Sequence, residues 1–115
     1  MNSVNVIGRL EKDPKLIQTK RGRDILRFLV KLEHQYQCDD EFLAKSYIVP
    51  CFARDQKAVD ISTMKKGHRI AITGHLQSHL IVDSHSNSEF YAVEIFVDRF
   101  EPLTAKSPKY IEQTA

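Results

Sequence analysis

A chain of 115 residues holds about one domain, enough for a single core and too little for two. Its 42% hydrophobic and 28% charged residues are ordinary globular proportions and exclude wholesale disorder, while a formal net charge of +2 permits a polyanionic partner without requiring one. No window approaches the roughly 18 uninterrupted apolar residues of a membrane span, and MNSVNVIGRLEKD lacks the apolar run of a secretory signal, so the expected address is cytoplasmic with no membrane partner.

Residues 2–11 alternate, with Val4, Val6, Gly8 and Leu10 on one face, which predicts a half-buried strand. A turn at KDP (12–14), a short extended piece at KLIQT and a glycine loop at KRGR (20–23) follow. The clearest strand is RDILRFLVKLEHQ, which sends Leu26, Phe28, Val30 and Leu32 one way and Arg27, Lys31, Glu33 and Gln35 the other. After a polar loop around QCDDE, residues 43–52 form a third strand in which Pro50 marks an edge or a bulge.

Residues 54–66 then change period. Ala58, Ile61 and Met64 fall at helical spacing, with Gly67 as the expected stop. Period two returns at 68–79, with Ile70, Ile72 and Leu76 expected inward and Arg69, Thr73, His75 and Gln77 outward. The loop VDSHSNSE leads into FYAVEIFVDRFE, where Tyr91, Val93, Ile95 and Val97 share one face and Phe90, Phe96 and Phe100 the other. The predicted fold is therefore all-β, a five-stranded oligonucleotide-binding (OB) barrel with one short helix between its third and fourth strands. The domain covers residues 1–103, and 104–115 read as a short C-terminal tail.

Three of the five histidines, His68, His75 and His79, lie in KKGHRIAITGHLQSH. On a helix, the spacing of His75 and His79 would suit a zinc ion. On a strand it separates the two rings by about 13 Å, so no metal and no other cofactor is expected. Nor does the sequence contain a phosphate-binding glycine loop or a nucleophile elbow, so no catalytic residue is assigned and the chain is not expected to be an enzyme. Cys38 and Cys51 lack metal-ligand or redox spacing and are expected as reduced thiols, Cys51 in the core and Cys38 in a loop.

What the polar faces do carry is cations interleaved with aromatics. Arg21, Arg23, Arg27, Lys31 and Lys45 alternate along the chain with Tyr36, Phe42 and Tyr47. Single-strand binding needs both types, cations for phosphates and rings for bases. Phe52 lies in an apolar run and reads as the weakest of the aromatic candidates.

With these residues in view, the chain resembles the bacterial single-stranded DNA-binding protein family. VNVIGRLEKDPKLIQTKRGRDILRFLV is similar to that family's opening strand, Asp-Pro turn, glycine loop and second strand; KAVDISTMKKGHRIAITGHLQS is similar to its helix, Lys-Gly turn and fourth strand. FLVKLEH and the Pro50 strand further resemble the branch known as primosomal replication protein N, which takes part in replication restart.

The resemblance implies non-catalytic, sequence-independent binding of single-stranded DNA in replication or restart by a homodimer or homotetramer, with replication-restart proteins as further partners. It implies base stacking by Tyr47 and Phe42 and a phosphate contact by Lys45. Tyr36, Arg27, Lys31, Arg21, Arg23 and His79 complete the expected DNA surface, with most of it on one face. The chain has no Trp, and its 82–89 loop has no lysine. The alternative is a diverged protein-interaction module of a replication assembly with weak or no DNA binding. The segment SPKYIEQTA lacks the glycine-rich linker and acidic tip typical of the family, so a partner-recruiting tail is not expected.

Overall fold

The computed structural model of the protein describes residues 1–103. The expected tail at 104–115 lies outside the described residues. In chain order the elements are β1 (Val4–Leu10), β2 (Ile17–Gln18), β3 (Asp24–Cys38), β4 (Glu41–Arg54), α1 (Gln56–Ser62), β5 (Arg69–Asp83) and β6 (Ser88–Pro102). The sheet runs β1-β5-β6-β4-β3-β2, and a further β1–β3 pairing at Arg9–Lys31 and Leu10–Val30 closes five of the strands into a barrel. All neighbours are antiparallel except β4 and β6, which meet in parallel at Cys51–Ile95 and Phe52–Phe96.

Alternation builds the core as the sequence foretells. Leu10, Leu26, Phe28, Val30, Cys51, Ala53, Ile70, Ile72, Ile95 and Val97 point inward, and α1 adds Ala58 and Ile61 across one end. Close approach requires Gly74, because a Cβ there would strike the carbonyl oxygen of Phe96. The helix begins at Asp55, whose φ of 61° departs from usual cap geometry. The Asp55 carboxylate makes no cap bond and instead accepts from Arg23 Nε at 3.3 Å and Nη2 at 2.8 Å, tying the glycine loop to the helix start.

Four expectations need correction. Cys38, expected in a loop, is the last residue of β3, because the polar segment around it narrows to a two-residue turn at Asp39 and Asp40. The helix ends at Thr63 in an ordinary helical conformation, and Gly67 serves the following turn, with φ 87° and its N–H bonded to Leu10 O at 2.8 Å. Leu76 keeps inward parity but is 46% exposed, because β1 reaches only as far as Gly74 and the barrel ends there. Tyr91 and Val93 share a face with Ile95 and Val97 as expected, and are exposed for the same reason, being paired beyond that end with Leu80 and Ser78. Phe100, expected opposite the core, packs against it. The pairing steps from Thr73–Arg99 to Gly74–Val97, which passes over Asp98 and flips the parity of everything after it.

Beyond the barrel, the two hairpins continue as arms. The β3–β4 arm turns at Asp39 and Asp40, both with positive φ (51° and 66°), as a two-residue hairpin turn demands. The β5–β6 arm turns through residues 84–87, where the His85 N–H donates to Asp83 Oδ1 at 2.9 Å. That bond holds the Asp83 carboxyl below its ordinary range. Because β4 and β6 run parallel, both arms leave the same end of the barrel. Pro50 sits one residue before the parallel seam, where β4 has β3 as its neighbour, in keeping with the edge position inferred for it.

Candidate nucleic-acid interface

Register decides which of the expected site residues share a face, since residues directly opposite in an antiparallel pair point the same way. Leu32 faces Tyr47, His34 faces Lys45 and Tyr36 faces Leu43, so Tyr36, Lys45 and Tyr47 share the face that continues the barrel's inner surface. The Lys45 ammonium lies 6.0 Å from the Tyr47 ring centre, and His34 stacks on Tyr36 at 6.1 Å. Phe42 pairs with Gln37 and falls on the outer face with Arg27 and Lys31, where it is 80% exposed. The single face expected for Tyr36, Tyr47, Phe42, Arg27, Lys31 and Lys45 is therefore two faces of the β3–β4 hairpin, with Arg27 and Lys31 on its barrel portion.

Arg21 and Arg23 are not brought to the inner-face set. They precede β3, about 40 Å of extended chain from Tyr36, and Arg23 is engaged by Asp55. The Arg23 hydrogen bond keeps the Asp55 carboxyl below its ordinary range and pushes the Arg23 guanidinium up. His79 is on the outer face of the other arm, opposite Ala92, with Nδ1 3.8 Å from Glu94 Oε1.

The outer face holds a row that the sequence reading did not assemble. Arg27, Phe52, Phe96 and His75 are each paired with the next across β3, β4, β6 and β5. The Arg27 guanidinium lies 4.5 Å from the Phe52 ring centre, Phe52 meets Phe96 at 5.8 Å, and Phe96 meets His75 at 5.0 Å. Arg54 adds a second guanidinium 5.0 Å from Phe96. Phe52, set aside as the weakest aromatic because of its apolar run, is thus half-buried on the outside of the barrel between buried Cys51 and Ala53. The available signal was parity: Phe52 falls out of step with Cys51 and Ala53, and Phe96 out of step with Ile95 and Val97.

Carboxylates hold the row in place. His75 Nδ1 is 2.9 Å from Asp98 Oδ2, so the residue displaced by the bulge anchors the ring at the row's end. Glu94, 8% exposed, faces Arg27 Nε at 3.4 Å. Beneath the row, burial and the nearby Glu94 charge push the Cys51 thiol up to about 12. Among the described residues no group of three or more His, Cys, Asp or Glu is placed to hold a metal ion. No helix among them is long and apolar enough to cross a membrane.

Residues 1–103 match the model of the Single-strand binding protein family. The chain belongs to this family. It is 26% identical over 108 residues to a single-stranded DNA-binding protein of Borreliella burgdorferi, covering 93% of this chain and 72% of that one. To the single-stranded DNA-binding protein of Malacoplasma penetrans it is 29% identical, covering 93% of this chain and 54% of the relative, so it spans only about half of that protein's length. Among solved structures, a chain of the Plasmodium falciparum SSB complex with ssDNA superposes with a TM-score of 0.77 at 20% identity, covering 90% of this chain and 96% of that one. The barrel and its arms are the fold of this family.

Proposed function

We propose that this chain binds single-stranded DNA without sequence preference and without a catalytic step, in cytoplasmic DNA replication or replication restart, as a homodimer or homotetramer. Membership of the family supports the reading, as do relatives named for this activity. The observation that carries it is the outer row of Arg27, Phe52, Phe96 and His75 with Arg54 beside it. Guanidinium groups suit phosphates, and flat rings accept any base, so the row offers affinity without a sequence code. Tyr47, Lys45 and Tyr36 offer a second set of the same types on the inner face of the β3–β4 arm.

The test is a titration of labelled oligo-dT across a salt series. Binding should weaken steeply as salt rises, and either no binding at low salt or binding indifferent to salt refutes the proposal. Phe96→Ala and Tyr47→Ala should each cost about 1–3 kcal/mol if their rings stack bases. A loss with Tyr47→Ala alone moves the interface to the inner face of the arm.

A second reading has one observation in its favour. Leu76, Leu80, Val82, Tyr91 and Val93 form an exposed apolar strip along one face of the β5–β6 arm, of the kind that marks protein contacts. Mass measured by light scattering in the same buffer, with and without DNA, separates assembly from nucleic-acid binding.

A further inference from the structure

Glu94 is the only charged side chain buried among the described residues, and it lies on the outer face of β6, two residues before Phe96. Its two oxygens face Arg27, reaching from β3 across β4, and the imidazole of His79 on adjacent β5. Arg27 approaches with Nε 3.4 Å from Oε2 and Nη2 3.5 Å from Oε1, and His79 Nδ1 lies 3.8 Å from Oε1. A carboxylate withdrawn from water holds a partner more firmly than an exposed one, because solvent competes less for it. The partner it holds is the guanidinium that covers Phe52, 4.5 Å from the ring centre.

A guanidinium placed over a ring occupies the space that a stacked base would take. The free protein therefore has one face of Phe52 already covered. We infer that Glu94 is a positioning residue that keeps Arg27 as a lid on Phe52, and that the lid must lift before a base stacks there. The inference rests on the outer row being the DNA surface. Lifting frees Arg27 to meet a phosphate and leaves Glu94 with His79, so Arg27 exchanges one anion for another as the strand arrives. Arg54 lies 5.0 Å from the Phe96 ring centre, and the carboxylate beside it in sequence, Asp55, is hydrogen-bonded to Arg23 instead. Phe52 and Phe96 thus differ in how readily they accept a base, with Phe96 the first to do so.

The test has a DNA-free arm and a binding arm. In the free wild-type protein the side-chain δ protons of Arg27 should show an upfield ring-current shift in NMR spectra, and Glu94→Gln should return them toward random-coil positions. In oligo-dT titrations Glu94→Gln should tighten binding by about two- to fivefold, the equivalent of one partly exposed ion pair. Glu94→Asp, which keeps the charge but withdraws it by one methylene, should share that gain. In an Arg27→Gln background the gain should vanish, because there is no lid to release.

A gain that persists without Arg27, or that Glu94→Asp fails to share, makes Glu94 a repelling charge and overturns the lid. Unchanged or weaker binding by Glu94→Gln overturns it as well, with thermal melts confirming that the variant is folded. Should Glu94→Gln fail to fold, Glu94→Asp alone decides. Absence of oligonucleotide binding by the wild type, with the Arg27 shift present, refutes the DNA reading rather than the Glu94–Arg27 coupling.

Discussion

Replacing Gly74 with Ala tests the barrel at its tightest point. The added Cβ would collide with the Phe96 carbonyl oxygen and sit 3.1 Å from Ile95 Cγ2, and the first of these is paired backbone that cannot swing aside. Relief requires β6 to move away from β5 beside the bulge. Overpacking of this kind costs about 1–3 kcal/mol, and each weakened ladder bond about 1 kcal/mol more. Against this stands a gain of about 0.4–1 kcal/mol from a less flexible unfolded chain.

The net is a loss of about 3 kcal/mol, which at about 4–8 °C per kcal/mol for a domain of this size lowers the melting temperature by about 12–24 °C. Gly22→Ala is the control. Gly22 has φ 81° and open space around its Cβ direction, so Ala there carries only the left-handed penalty of about 1–2 kcal/mol. Thermal unfolding followed by circular dichroism should rank Gly74→Ala well below Gly22→Ala. A Gly74→Ala variant melting within a few degrees of wild type, or above Gly22→Ala, refutes the reasoning.

Two further outcomes follow from ionisation. Cys51, buried and with its thiol pushed up to about 12, should resist a thiol reagent at pH 8 while exposed Cys38 reacts, giving one modified thiol per native chain and two in denaturant; two rapid equivalents in the native state would contradict the burial. Asp55 has its folded pKa depressed by Arg23, so the pair's contribution is present above the ordinary carboxylate range and disappears as pH falls through the folded value. Arg23→Gln should therefore be less stable than wild type at pH 7, with the gap closing on acidification below about pH 4. A gap independent of pH would assign the loss to packing of the loop instead.

Much of the barrel is legible in the sequence because alternation is a local property. Val4 to Leu10 and Leu26 to Val30 declare their buried faces within a few residues, and the helical spacing of Ala58, Ile61 and Met64 interrupts them once. What escapes the sequence is set by partners far along the chain. Leu76 is apolar and in phase, yet nothing near it tells that β1 has already ended at Val4. Phe100 reaches the core through a bulge at Asp98 that the alternation of FYAVEIFVDRFE conceals. The candidate site suffers most, because faces on the two strands of a hairpin are matched only through the turn. Phe42 and Tyr47 lie five residues apart on one strand, so alternation alone parts them once β4 is extended to Glu41, and the two-residue turn at Asp39 and Asp40 then sets Phe42 opposite Gln37. The Phe52–Phe96 contact depends on a parallel seam between segments 44 residues apart, which no local pattern reports.

The placement of the outer row between core residues also constrains how such a chain can vary. Phe52 lies between Cys51 and Ala53, and Phe96 between Ile95 and Val97, so each ring is separated from the interior by a single step of the backbone. Substitution at Phe52 or Phe96 can retune what the surface accepts while its neighbours go on filling the barrel. Insertion or deletion of one residue in the same strands exchanges the two sets, sending rings inward and aliphatic side chains to solvent. Lineages derived from this fold are thus free to change the chemistry of the platform by replacement, whereas length changes are confined to the arms and their turns, where neither face is committed to the core.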